Sequence, residues 1–410
     1  MEESLGIGIG HSVSEDSRDA GRHCIERALG ERPGAAAAWI IAFCGGKHDP
    51  VEFLHGIRSV STAPVIGGSA AGIITRAVCG YGGLEAAVAV FPAALGAPRL
   101  ILEHELLAGE LAAGRRMGAS LAQATAGGEV VLLFYDSVAS ASPHRLHPAS
   151  QLVQGIHEGL AGREIVLLGA GTLSDFELTD GYVFDGEAPR KHSAVAVVLP
   201  RIVAADASIL HGCIPVSSFL TVTGIDGAEL LELEGRPALD VLGERLRREW
   251  AKDAPIDLSL SVTLGQKQGD IFGPYDENDY VNRLILAVDR EKRSVTLFEP
   301  DFRAGSQVQI MSRDNGLMLT SVRNGTRGLV DRTQGRERLL WLYFDCAGRA
   351  SGFSGAEEEE AEVLVAGLPG ATPLIGFYSG VEIAPVGGER SRSLDWTGVL
   401  VSLHLRGTAA

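Results

Sequence analysis

The chain has 410 residues, 45% of them hydrophobic and 21% charged, which suits two or three packed cores of ordinary globular size. Its formal net charge of −16 argues against nucleic acid as a partner, because phosphate contacts draw on Lys and Arg clusters that this sequence lacks. No window approaches the ~18 apolar residues that a membrane span needs, and Met1-Glu2-Glu3-Ser4 lacks the basic opening of a secretory signal. A cytoplasmic protein away from the membrane is expected.

An opening strand is predicted at Leu5 to Gly10, then a helix capped by Ser14 or Asp16 and ended by Arg32-Pro33-Gly34. One pattern then occurs three times: a β-branched or aromatic strand, a polar loop, a helix, a second strand entering a Gly turn, and a closing strand. The first copy runs through Trp39 to Gly45, Ala63 to Ile74 and Ala86 to Pro92. The second runs through Val130 to Asp136, Glu164 to Gly171 and Ser193 to Pro200. The third runs through Leu339 to Gly348, Thr372 to Gly380 and Thr397 to His404. The spacings Phe43 to Gly67, Phe134 to Gly169 and Phe344 to Gly376 are 24, 35 and 32 residues, so the variation falls between matching strand ends.

Between these landmarks, apolar spacing predicts helices over Glu110 to Ala126, Ser150 to Leu160 and Gly235 to Trp250. From Asp279 the alternation turns to hairpins at Val281 to Val288, Ser294 to Phe298 and Ser306 to Met311. The stretches 253–278 and 323–338, rich in Gly or in Arg and Gly, are expected to be the least regular. Ser354-Gly355-Ala356-Glu357 reads as a capping box, which makes the run Glu357 to Glu360 a helix start. The fold class is therefore α+β, with β-sheets covered by helices and an internally repeated unit. A boundary near Leu231 to Gly235 divides it into domains 1–234 and 235–410.

The five cysteines are scattered without a Cys-x-x-Cys, so free and mostly buried thiols are expected rather than a disulfide framework or a zinc knuckle. Gly67 to Gly72 lacks the dinucleotide-binding register, and Gly45-Gly46-Lys47-His48 lacks the spacing of a phosphate loop. Ser69 misses the nucleophile elbow because Ala71 stands where the last Gly belongs. No catalytic residue or metal ligand set is assigned.

The runs Val65 to Gly72, His211 to Pro215 with Glu232 to Leu239, Phe344 to Arg349 and Gly376 to Pro385 together resemble the FIST family, in order and spacing, over nearly the whole chain. The chain departs from the family pattern at Gly68, where Cys is usual, and at Val381-Glu382, where Gly-Glu is usual. The resemblance implies a FIST N and a FIST C domain, small-ligand sensing in signal transduction rather than turnover, and amino-acid-like metabolites as ligands. It also implies an alternative: one branch resembles haem-binding nitric oxide sensors that act on a histidine kinase. A separate histidine kinase or other signalling protein is the expected partner.

The candidate ligand site joins Asp345, Cys346 and Arg349 at one strand end to Phe377, Tyr378 and Glu382 at the next, with Gly67 and Ser69 of the first Gly turn as further contacts. Loops leaving strand ends free backbone amides for a ligand. Arg349 offers a planar fork to a carboxylate and Glu382 an acceptor to an amine. The plainer reading is that Arg349 and Glu382 pair and hold the loops. Cys346 reads either as a thiol nucleophile activated by Arg349 or as a small buried hydrophobe. His211 and His192 are the candidate haem ligands, each also readable as a structural histidine.

Overall fold

The computed structural model describes residues 5–30, 37–250, 257–370 and 372–407. Three six-stranded sheets share one strand order. The first runs Gly8–Ser12, Ala86–Pro92, Ala37–Gly45, Val65–Ala70, Val183–Gly186, Pro189–Arg190. The second runs Arg99–Glu103, Ala194–Val198, Val130–Asp136, Val166–Thr172, Glu382–Pro385, Ser391–Leu394. The third runs Val203–Leu210, Gly398–Leu405, Arg338–Cys346, Leu374–Ser379, Gly72–Thr75, Cys79–Gly80. In each sheet the two middle strands are parallel, with Phe43 beside Gly68, Phe134 beside Ala170 and Phe344 beside Phe377, and every other pairing is antiparallel.

The last two strands of each sheet are a hairpin from a distant part of the chain. Val183–Arg190 completes the first sheet, Glu382–Leu394 the second and Gly72–Gly80 the third. The three sheets are thus linked in a ring by exchanged hairpins.

Both faces of the middle strands are buried, which explains their nearly unbroken apolar sequences. Side chains alternate across a strand. Trp39, Ile41 and Phe43, with Val130, Leu132 and Phe134 and with Leu340, Leu342 and Phe344, turn into one shared core. At its centre the Phe43 and Phe377 rings stack at 4.2 Å, with Phe134 5.5 Å from Phe43 and Phe344 5.8 Å from Phe377. Each such ring contributes about 1.5–3 kcal/mol by leaving water.

The opposite faces pack on helix pairs. Ser17–Gly30 and Pro50–Arg58 cover the first sheet, Glu110–Ala124 and Ala149–Gly159 the second, Asn315–Arg332 and Glu360–Gly367 the third. Capping carboxylates start several of these helices: Asp16 accepts from Asp19 N, Asp49 from Val51 N and Glu52 N, and Asp314 from Leu317 N.

Apart from a separate hairpin of Val138–Ala141 and His144–Leu146, the remaining strands form an antiparallel sheet in the order Ile214–Pro215, Gln307–Ser312, Leu220–Asp226, Glu229–Leu233, Ser294–Leu297, Tyr280–Asp289, Val262–Lys267, with Arg236–Pro237 paired to Glu229–Leu233. Strand Val262–Lys267 also pairs with Gln307–Ser312, closing a barrel without free edges along that seam. Its core takes Leu220, Val222, Leu264, Val295 and Ile310, and helix Ala238–Trp250 adds Val241, Leu242 and Leu246.

Three expectations need correction. Within 253–278, Val262–Lys267 is a barrel strand, while 253–256 lie outside the described residues, as does Arg32-Pro33-Gly34. Most of 323–338 belongs to helix Asn315–Arg332, whose Met318, Val322 and Leu329 form a buried stripe that the surrounding Arg and Gly disguise. The capping box at Ser354 does not form. Ser354 ends the short helix Ser351–Ser354, and the next helix begins at Glu360.

Candidate functional site

Strand Arg338–Cys346 runs out of the third sheet at Asp345, and a single 3-10 turn, Ala347–Arg349, folds Arg349 back beneath it. The Arg349 side chain is wholly buried. Its Nε donates to Glu360 Oε2 at 2.8 Å, Nη2 donates to Glu360 Oε1, and Nη1 donates to the Trp396 carbonyl at 2.9 Å and the His211 carbonyl at 3.3 Å. Four of its five N–H groups are thereby engaged. Tyr343 donates its hydroxyl to Glu360 Oε1 at 2.6 Å.

Asp345 lies 3.2 Å from Arg349 Nε, but that proton already goes to Glu360, and neither carboxyl oxygen of Asp345 accepts a hydrogen bond. Burial, then the charge of Glu360, push its pKa well above the usual carboxylate range.

Glu382, one residue beyond the turn that follows strand Leu374–Ser379, shares this interior. Ser379 Oγ is 3.0 Å from the Asp345 carbonyl oxygen and 2.7 Å from Glu382 Oε1. One hydroxyl proton cannot serve two acceptors. Both contacts are hydrogen bonds together when Glu382 is protonated and donates to Ser379, which donates onward to Asp345 C=O. Burial raises the Glu382 pKa in the same direction, with Asp345 adding to it.

Glu382 Oε2 has no partner, and the buried hydroxyls of Tyr135 and Ser137 lie side by side against Gly171. Ser137 lies against Gly380, its Oγ 2.6 Å from where a Cβ would stand, and against Gly171 at 2.0 Å. Tyr135 is beside Gly171 as well, and its phenol is held protonated by burial. Unpartnered buried polar atoms cost about 1–3 kcal/mol each. Asp345 and Glu382 thus keep buried carboxyl oxygens that could accept hydrogen bonds, and Tyr135 and Ser137 lie beside the turn at Gly380 and Gly171.

Aromatic rings cover this interior. Tyr378 donates to Glu359 Oε1 at 2.5 Å, and Tyr81 packs edge-on against Tyr378 at 5.6 Å. Phe176 stands edge-on to Tyr81 at 5.4 Å and stacks on Phe353 at 4.1 Å. Phe353 is 53% exposed and sits on the short helix Ser351–Ser354. Tyr81 receives Gly352 N at 3.2 Å, so the cover is tied to that helix.

Of the sequence-predicted residues, Asp345, Cys346, Arg349, Tyr378 and Glu382 come together here. Phe377 does not, since its ring belongs to the central core. Gly67 adopts φ 121° against Ala42 O, and the Ser69 hydroxyl accepts from Tyr182 N at 3.1 Å on the first sheet. Cys346 is buried, and burial, followed by Glu382, pushes its thiol far above its ordinary pKa. Glu359, Glu360, Tyr343 and Ser379 are site residues that sequence reasoning missed. Glu359 and Glu360 were visible as a carboxylate run but accounted for as a helix start.

Of the two candidate haem ligands, His211 borders this site through its backbone carbonyl, which accepts from Arg349. His211 is buried with both ring nitrogens engaged: Nδ1 accepts from Cys213 N at 2.9 Å, and Nε2 donates to the Glu277 carbonyl at 3.0 Å. His192 adopts φ 50° and places Nδ1 3.1 Å from His147 Nε2, while His147 Nδ1 meets Glu110 at 2.7 Å. Both histidines thus have ring nitrogens engaged within the protein, His192 through Nδ1 and His211 through both. Among the described residues no group of His, Cys, Asp and Glu is arranged to hold a metal ion, and no helix is long and apolar enough to cross a membrane.

Sheets covered by helices on one face define an α+β protein. Family models match at residues 38–236, the FIST N domain, and 238–385, the FIST C domain. The chain belongs to the FIST family, whose domains are sensory domains of signal transduction. The Mycobacterium tuberculosis protein Rv0628c, uncharacterized by name, is 27% identical over 398 residues, 94% of this chain and 96% of its own. The uncharacterized Mycobacterium bovis protein Mb0898c is 28% identical over 183 residues, 45% of this chain and 46% of its own. A crystal structure of a cyanuric acid hydrolase from A. caulinodans aligns over 98% of this chain and 99% of its own, at 11% identity and a TM-score of 0.31.

Proposed function

We propose that this chain is a non-enzymatic sensor that takes a small, amine-bearing metabolite of amino-acid type at the Asp345–Glu382 interior. The observation that carries this reading is the set of wholly buried, unpartnered carboxyl oxygens on Asp345 and Glu382. An ammonium group supplies three donors and a charge, and its arrival favours the deprotonated carboxylates that burial alone disfavours. Arg349 has spent its donors on Glu360 and two carbonyls. Its part is to position the acids rather than to clamp a ligand carboxylate.

Access requires the Phe353–Phe176–Tyr81 cover to move, and that movement alters the surface offered to a separate signalling protein in the cytoplasm. Family membership supports the sensory half of this reading. Cys346 supports the non-enzymatic half, because a thiol kept protonated is a poor nucleophile.

The test is a thermal-shift screen of the twenty proteinogenic amino acids and putrescine, paired with native mass spectrometry of the bound form. A ligand that raises Tm in the wild type and not in the Asp345→Asn/Glu382→Gln variant supports the reading. An equal shift in that variant, or turnover of the ligand that disappears in Cys346→Ala, overturns it.

A further inference from the structure

A cleft of about 950 Å³ opens between helix Ala149–Gly159, the barrel strand Val262–Lys267 and the loops near Arg303 and Arg390. That volume is near the upper end of what small-molecule sites occupy.

With a net charge of −16 overall, the molecule gathers Arg163, Arg303, Arg390 and Arg392 on the walls of one cleft. Among the described residues, Arg163, Arg303 and Arg390 have no ion-pair partner. Arg163 instead donates to the Thr125 carbonyl at 2.6 Å and Arg303 to Gln154 Oε1 at 3.3 Å. Four acids, Glu158, Glu164, Asp301 and Glu389, line the same cleft, and two of them, Glu158 and Asp301, are paired with arginines. Glu158 is paired with Arg115 at 2.6 Å and accepts from Gln154, which in turn accepts from Arg303. Asp301 is held by both Arg283 Nε at 2.7 Å and Arg283 Nη2 at 2.6 Å, and also takes Arg392 at 2.8 Å.

This arrangement preorganises a cation at the cleft floor. Arg392 is fixed by Asp301 on one side and by Gln268 at 3.4 Å on the other, and Asp301 is fixed from beneath by the buried Arg283. Fixed guanidinium groups with further arginines around them favour oxyanions that bind two or more forks at once. A cleft with low-dielectric walls also focuses the field and concentrates anions from solution.

The geometry points to this cleft as a second binding site, for a small multivalent oxyanion, polycarboxylate or phosphate, held by Arg163, Arg303, Arg390 and Arg392. It is independent of the Asp345–Glu382 interior, which asks for a donor rather than an acceptor.

Isothermal titration at low ionic strength tests it, with citrate and inorganic phosphate as separate probes on the full chain. Arg303→Ser/Arg390→Ser alters two exposed side chains, and its fold is checked by circular dichroism and Tm. The expected result is saturable binding of citrate or phosphate that weakens about tenfold or more in the double variant and is unchanged in Asp345→Asn. Citrate binding alone marks a carboxylate ligand, and phosphate binding alone marks a phosphorylated one. Binding of neither, or equal binding by a correctly folded double variant, overturns the proposal.

Discussion

At the scale of single residues, the acids of the interior set how the protein responds to pH. The Glu382 pKa is raised in the folded chain, so the proton favours the fold. That contribution is complete below the ordinary carboxylate range of the unfolded chain and is lost as pH rises through the higher folded value. Gln keeps the shape of the protonated acid and removes the titration. Glu382→Gln is therefore expected to be more stable than the wild type by about 1–3 kcal/mol once the pH passes neutrality, with the gap shrinking towards acid. Urea unfolding at a series of pH values reads this directly, and a gap that does not vary with pH would contradict it. Arg349→Lys is expected to act oppositely, losing about 3–5 kcal/mol, because a point charge cannot hold Glu360 and two carbonyls from one buried position. The same residues show what the sequence disclosed. Asp345, Arg349 and Glu382 were legible because strand ends next to Gly turns are marked by composition. Phe377, grouped with Tyr378 in the sequence, turns its ring into the central core instead, because neighbours on a strand face opposite ways. Glu360 stayed hidden because a carboxylate run before an apolar stretch has a sufficient local explanation, while its partner Arg349 is brought to it only by tertiary folding.

Between elements, the controlling feature is how closely helices approach. Helices Glu110–Ala124 and Ala149–Gly159 meet through Gly114, Gly118, Gly155 and Gly159. A Cβ on Gly118 would stand 2.2 Å from the Ile156 carbonyl oxygen, and one on Gly155 2.3 Å from that of Leu111. Helices Ser17–Gly30 and Pro50–Arg58 use the same device, Gly21 against Phe53 O and Gly56 against Arg18 O. Gly118→Leu must push the backbones apart, and a loss of about 1–3 kcal/mol is expected. A drop in Tm checks it, and an unchanged Tm would mean that the helices can separate freely. The Gly-x-x-x-Gly spacings were present in the sequence, but periodicity showed only helices lying on a sheet. Which helix faces which depends on the sheet order, and no local pattern carries that. Helix Asn315–Arg332 was obscured for a related reason, since its buried stripe is interrupted by Gly325 and Gly328.

For the whole molecule, the decisive fact is that strand pairing crosses the boundary between the two family models. The FIST N match ends at 236 and the FIST C match begins at 238, yet hairpin Gly72–Gly80 completes the sheet built on Arg338–Cys346, and hairpin Glu382–Leu394 completes the one built on Val130–Asp136. The shared core draws on both sides as well, with Phe43 and Phe134 packed against Phe344 and Phe377. A chain cut between 234 and 235 leaves the 1–234 piece with an open edge at Val166–Thr172 and the 235–410 piece with one at Leu374–Ser379. Each also bares half of an aromatic core. Exposed edges and apolar faces of that size drive aggregation. Each piece made alone is therefore expected to be insoluble or unfolded, and the two made together are expected to assemble into one particle that melts cooperatively. Co-expression with a tag on one piece, followed by size exclusion and calorimetry, distinguishes the outcomes. Two pieces that each fold alone with a sharp transition would show that the exchanged hairpins are ornaments on independent domains. Recovery only as a pair would show that the acids on 345 and 382 and the hydroxyls on 135 and 137 meet because the chain folds as one ring, so that a ligand bound among them touches both halves at once.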